Sequence, residues 1–212
     1  MISTMGRTAA NRRSRTATDA SVQPISATAF STALDWMAIA WDEEAVRGIT
    51  FGYASQNQAE FALGRSLRQP KQFCHFLTGG QLAPEPHWVN ELVNDLRRFA
   101  DGDAADFSYA PLALDHLTPF ARRVVAACRQ ISWGQVSSYG ELAENCGSPG
   151  AARAVGSVMA KNRYPLVVPC HRVLAAGGAL GGYSAPDGLR MKRRLLAMER
   201  PFTSRAGVLG RR

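Results

Sequence analysis

Between Thr118 and Lys161 helix starts and stops follow one another so closely that the chain has few ways to fold there. Thr118-Pro119 offers a side-chain N-cap with proline at the first helical position, and Val124, Val125 and Cys128 supply an apolar face up to Ile131. Trp133-Gly134 breaks that helix. Ser138-Tyr-Gly-Glu141 has capping-box spacing, in which Ser and Glu side chains satisfy each other's orphan backbone N–H groups, and predicts a short helix through Asn145. Gly147-Ser-Pro-Gly150 reads as a tight turn, and Ala151 to Lys161 as a third helix with unusually small side chains. Two helices joined by a glycine-containing turn make a helix-turn-helix candidate, an outline shared with any αα-hairpin.

Charge is divided along the chain. Of the net +8, residues 1–25 carry +3, and residues 26–116, with six basic and twelve acidic side chains, carry −6. Residues 117–199, with eleven basic and four acidic, carry +7, and the last thirteen add four arginines. A basic module beside an acidic one points to a polyanion, nucleic acid first, meeting only the second; a solvated basic face is the alternative. With 46% hydrophobic and 20% charged residues the composition excludes collagen-like and disordered chains, and no apolar run reaches the roughly 18 residues of a membrane span.

The acidic segment predicts a small α/β unit. Trp36–Trp41 and Val46–Tyr53 read as a hairpin about Asp42-Glu-Glu44, followed by a helix from Gln56 to Leu67. A second helix is expected from about Pro86 to Phe99, with Trp88, Leu92, Leu96 and Phe99 as its buried stripe. His87 is expected to pack or face solvent. Residues 1–25 and 201–212 read as basic tails, the first disordered. The four cysteines, Cys74, Cys128, Cys146 and Cys170, form no CxxC pair, which argues for free thiols in a reducing compartment.

Leu166 to Val168 reads as a buried strand that Pro169 ends, presenting Cys170 at its exposed end. That placement suits a nucleophile, although Cys170-His171 adjacency alone also fits a structural cysteine. The helix surfaced by Ala151, Ala152, Ala154 and Gly156 can approach another surface closely, either a narrow nucleic-acid groove or a neighbouring helix. Arg153, which interrupts those small residues, is a solvated arginine or a side chain that enters a base stack.

Tyr139, Ala151-Ala-Arg153-Ala-Val-Gly156, Asn162, Pro165, Pro169-Cys-His-Arg-Val173, Gly178, Tyr183-Ser184, Leu195-Leu196 and Glu199 together resemble the O6-alkylguanine-DNA alkyltransferases. The likeness runs in register over about 117–199 and more loosely over 34–116. It implies a two-domain α/β (α+β) protein, with a small N-terminal α/β domain at 26–116 and a helix-turn-helix-containing C-terminal alkyltransferase domain at 117–200. It implies irreversible transfer of an alkyl group from O6-alkylguanine, and more weakly O4-alkylthymine, to Cys170. In this likeness His171 is the base acting through a water, Glu199 orients it, Tyr139 protonates or hydrogen-bonds the departing guanine, and Asn162 shapes the hinge. Ser184 lies near O6, Met159 and Tyr183 wall the flipped base, and Val173 lines the guanine edge through its backbone. Arg153 becomes the intercalating arginine of a helix that enters the minor groove of double-stranded DNA.

The implied protein is a monomer in the cytoplasm, associated with the nucleoid, and acts without cofactor or metal; Cys74, His75, His87 and His116 match no zinc pattern. Related non-catalytic modules bind lesions with Trp in place of the acceptor cysteine, so the alternative is a lesion-binding module, against which Cys170, His171 and Glu199 together argue. Arg163 stands where the family has proline after the hinge Asn, and Ala185-Pro-Asp187 makes a longer, stiffer loop at the pocket rim, which implies a narrower range of alkyl groups.

Overall fold

The computed structural model describes residues 25–68, 75–76 and 86–199. The basic tails, Cys74 and the side chain of His75 lie outside the described residues. Strand β1 (Ser26–Thr32), unforeseen in the sequence, pairs antiparallel with β2 (Asp35–Trp41), which pairs antiparallel with β3 (Val46–Tyr53). The two-residue strand β4 (His75–Phe76) adds parallel to β1, giving the order β3-β2-β1-β4. The β2–β3 hairpin is the one expected. Asp42 closes its turn by accepting from the backbone N–H groups of Glu44 and Ala45 at 3.0 and 2.9 Å, and Arg47 pairs with the same carboxylate.

The alternation of β2 sorts its side chains between two faces. Ala38 and Ala40 pack under helix α1 (Gln56–Leu67) against Ala59, Leu63 and Leu67, where the small residues let the helix lie close. Met37, Ile39 and Trp41 face the larger core, which they share with Leu92, Leu96 and Phe99 of α2 (His87–Ala100) and with side chains as distant as Val125, Leu142 and Leu195. That core runs without a break across the boundary expected near 116. His87 projects into solvent, with its side chain 96% exposed.

The capping signals place three helices as anticipated. Helix α3 (Pro119–Arg129) is capped by Thr118, whose Oγ1 accepts from Ala121 N at 3.2 Å. Helix α4 (Tyr139–Asn145) begins with a complete capping box: Glu141 N donates to Ser138 Oγ at 3.1 Å and Ser138 N to Glu141 Oε2 at 2.6 Å. After a turn containing Gly147 and Gly150, both at positive φ, helix α5 runs from Ala152 to Met159, two residues short of the expected end. Strands β5 (Ser137–Ser138) and β6 (Val173–Leu174) pair in parallel, and α6 (Leu189–Met198) closes the described chain.

The expected strand at 166–168 is absent. These residues are buried, but Leu166 takes a left-handed φ of 72° and the segment folds on itself, with Val168 N donating to Tyr164 O at 2.7 Å and Cys170 N to Val168 O at 2.8 Å. Prolines at 165 and 169 remove two backbone donors, so the run cannot form a ladder. Cys170 therefore opens a short 3-10 turn (Cys170–Arg172) and is 8% exposed, rather than standing at an exposed strand end.

Ser138→Ala removes the N-cap acceptor of α4 and leaves Glu141 N without its partner. A loss of about 1 kcal/mol is expected in urea unfolding.

Candidate active site

The segment carrying Cys170 is fixed from two sides. Ile49 N on the outer edge of β3 donates to Arg163 O at 2.8 Å, and Tyr164 OH bonds the carbonyl of Ala113, which itself adjoins β3 through Ala113 N to Val46 O at 3.0 Å. Between these anchors, Asn162 ties the turn together. Its Oδ1 accepts from Tyr164 N at 2.9 Å, and its Nδ2 donates to Val168 O at 2.9 Å and to Cys170 Sγ at 3.3 Å. The amide thus holds the backbone loop and touches the thiol.

Burial pushes the Cys170 thiol up, while the Asn162 hydrogen bond, the Lys192 charge and nearby backbone N–H groups work in the opposite direction without overcoming it. The resting sulfur is a protonated thiol already surrounded by groups that favour its anion. Lys192 sits in the core on α6, donating to Val173 O at 2.6 Å and to Leu180 O.

Behind the cysteine lies a buried ionic group. His171 Nε2 meets Glu199 Oε1 at 2.8 Å, and the two side chains are 0% and 1% exposed. Arg172 grips the same carboxylate, Nε to Oε2 at 3.0 Å and Nη2 to Oε1 at 3.0 Å, and its Nη1 donates to Ile131 O at 2.6 Å. Gly134 N adds a donor to Glu199 Oε2 at 3.2 Å. Burial alone would raise the Glu199 carboxyl, but His171 and Arg172 together hold it below its usual range. Burial lowers the His171 imidazole despite Glu199, with Arg172 and Lys192 adding to the depression. A carboxylate can only accept, so Nε2 carries the imidazole proton and Nδ1, which has no protein partner among the described residues, presents a lone pair.

Cys170 is reached through a cleft of about 720 Å3 lined by Tyr139, Arg153, Gly156, Met159, Tyr183 and Ser184 among others. Tyr139, the first residue of α4, is half-buried, and burial followed by the neighbouring Cys170 and Cys128 raises its phenol, so it stays protonated. Gly181, at φ +66°, lets the chain pass the Tyr139 ring, because a Cβ there would lie 3.2 Å from Cε2. A smaller cavity of about 160 Å3 reaches Cys170 from the sheet side, between Thr50, Phe51 and Tyr53 of β3 and the Ala185-Pro186 rim. The rim loop rests on the end of β3: a Cβ on Gly52, at φ +78°, would lie 3.0 Å from Met191 Cε and 3.8 Å from Pro186 Cβ.

Of the expected site residues, the fold brings Tyr139, Met159, Cys170, Tyr183 and Ser184 around one cleft, with Ala152, Arg153 and Gly156 of α5 along its wall. Ala154 is exposed and Ala151 caps the helix start, but neither lines the cleft. Val173 is fully buried outside the lining, with its carbonyl taken by Lys192. Sequence reasoning missed Arg172 and Lys192. A signal for Lys192 existed, since it shares a helical stripe with Leu195, Leu196 and Glu199 at spacings of three, four and seven.

Removing one partner of a buried ion pair leaves a charge uncompensated, so Arg172→Met is expected to cost about 3–5 kcal/mol in urea unfolding. Acidification acts on the same group. With His171 held below 6.5, the unfolded chain binds that proton first, and stability is lost as pH falls from 6.5 through the folded value. Glu199 extends the loss below 4.5. His171→Gln should flatten the upper part of this decline and Glu199→Gln the lower, as read from urea midpoints against pH.

Residues 119–201 match the family model described as 6-O-methylguanine DNA methyltransferase, DNA binding domain. The methylated-DNA–protein-cysteine methyltransferase of Mycobacterium tuberculosis is 40% identical over 118 residues, 55% of this chain and 68% of that protein. The Mycolicibacterium paratuberculosis protein of the same name is 53% identical over 109 residues, 51% of this chain and 63% of its own length. Among solved structures, the M. tuberculosis O6-methylguanine methyltransferase superposes with a TM-score of 0.61 at 28% identity, covering 87% of this chain and 96% of that one. M. tuberculosis OGT in complex with DNA gives 0.60 at 26% identity, over 83% and 93%. With a relative 40% identical over 68% of its length and solved structures of the same fold, this chain belongs to the methylated-DNA–protein-cysteine methyltransferase family.

Proposed function

We propose that this protein repairs O6-alkylguanine, and more slowly O4-alkylthymine, in double-stranded DNA by direct reversal, moving the alkyl group onto its own Cys170. The observation that carries this reading is Cys170 Sγ held by Asn162 at the cleft floor, with a neutral imidazole oriented by a buried carboxylate behind it. His171 Nδ1 takes the thiol proton through a water, and Glu199 stabilises the imidazolium that forms. The thiolate attacks the alkyl carbon, a C–S bond forms and the C–O6 bond breaks, and its electron pair stays on guanine. Tyr139, protonated at rest, gives guanine its proton and is reprotonated from the imidazolium side. The thioether is not hydrolysed, so each molecule acts once.

The base reaches Cys170 by leaving the stack, which costs a few kcal/mol and less for a badly paired lesion. Helix α5 fits the minor groove because Ala151, Ala152, Ala154 and Gly156 present little bulk, and exposed Arg153 fills the emptied position. Met159 and Tyr183 flank the flipped base, Ser184 approaches O6, and Val173 lines the guanine edge through its backbone, whose carbonyl accepts from Lys192. We assign the tails to 1–25 and 201–212, the acidic unit to 26–116 and the DNA-binding and active-site unit to 117–200. The protein works as a cytoplasmic, nucleoid-associated monomer without cofactor. No helix among the described residues is long and apolar enough to cross a membrane.

Incubation with an O6-methylguanine duplex should add one CH2 to the intact mass, on Cys170, and Cys170→Ala should abolish the gain. Binding without any gain would make the protein a lesion-binding module instead. Arg153→Ala should slow duplex repair by roughly 10- to 100-fold while sparing reaction with free O6-methylguanine base. Equal losses on both would remove the intercalation role.

A further inference from the structure

A third recess, of about 270 Å3, lies on the opposite side of α5 from the cleft that holds Tyr139 and Ser184. It is lined by His116, Thr118, Ser157, Lys161, Asn162 and Arg163, over a floor that includes Val125 and Val158. Lys161 and Arg163 line it as cations, and neither forms an ion pair among the described residues. The nearby Asp115 is engaged by Arg47 at 3.0 Å. Thr118 Oγ1 already accepts from Ala121 N, so its hydroxyl proton is left for an acceptor outside the helix. Burial and then the Arg163 charge lower the His116 imidazole, with Asp115 and the Ala113 backbone opposing and Arg47 adding, which places the Arg163 charge close to the His116 side of the recess.

The position of the recess selects the anion. It takes Ser157 and Val158 from the end of α5 and Lys161 from just beyond it, whereas Arg153 projects from the beginning. An eight-residue helix is about 12 Å long, and the minor groove is roughly 6 Å wide, so a helix crossing it overhangs a sugar-phosphate wall. We propose that this recess seats a backbone phosphodiester of the DNA strand beside the lesion, with Lys161 and Arg163 supplying the charge and Thr118 a hydrogen bond. This rests on the repair reading above, in that it takes α5 as the helix facing DNA. The seat adjoins the hinge: Asn162, which holds Cys170 Sγ, lies between its two cations in sequence.

The test is binding of an undamaged duplex across a KCl series by the wild type, Lys161→Gln and Lys161→Gln/Arg163→Gln. Losing one phosphate contact should reduce the slope of log K against log salt by about 0.9, so the double variant, which empties the seat, should be shallower by about that amount and weaker on damaged and undamaged duplex alike. Lys161→Arg should keep the wild-type slope. Lys161 is exposed, so its Gln variant is expected to melt with the wild type and to react normally with free O6-methylguanine base. Unchanged slope and affinity in the double variant overturn the proposal. If, in that case, inorganic phosphate at constant ionic strength raises the melting temperature of the wild type alone, the recess belongs to a free anion. Failure of the repair reading is separate, since it would appear as absence of methyl transfer in the wild type whatever the slopes do.

Discussion

The Glu199 carboxylate is the point from which the reactive end of this molecule is organised. It accepts from His171, from Arg172 through two nitrogens and from the backbone of Gly134, and it is 1% exposed. A carboxylate so deeply placed is tolerable only when its lone pairs are occupied and its charge is matched. Those demands fix three segments together: the end of α6, the turn at 170–172 and the break after α3. The imidazole inherits its tautomer from this arrangement, and in the proposed reaction it serves as the base for Cys170.

The N-terminal sheet contributes architecture to the site. The outer edge of β3 receives the chain at Arg163 and at residues 111–113, and its end at Gly52 carries the rim loop through Pro186 and Met191. The positions of Asn162 and of the rim loop after Ser184, which line one cavity with Cys170, therefore depend on one strand. Arg163 occupies the place where the likeness read in the sequence implies proline, and its carbonyl is held by a hydrogen bond from Ile49 N.

Features set by local chemistry were legible in the sequence. The caps at Thr118 and Ser138, the Asp42 turn and the helix at 56–67 depend on neighbours within a few residues, and the structure has them as expected. The segment 166–168 was misread because a short apolar run has the composition of a buried strand whether or not another strand is available to pair with it. Strand β1, with its small and polar Ser-Ala-Thr-Ala-Phe-Ser-Thr, carries too weak an alternation to be recognised alone. Arg172 was overlooked for another reason. An arginine reads as surface until its partner, 27 residues away, is brought to it by the fold. The boundary at 116 follows charge, but the core ignores it, since burial counts apolar area and not the sign of the surface above.

The central claim is that Cys170 is activated by a neutral His171 whose Nε2 bears the proton and whose Nδ1 is a free base. Nitrogen-15 chemical shifts of the His171 ring in the unreacted protein at neutral pH test it directly. The account predicts a protonated Nε2 coupled to its hydrogen and an unprotonated Nδ1. An imidazolium with both nitrogens protonated, or a proton on Nδ1 alone, would contradict it.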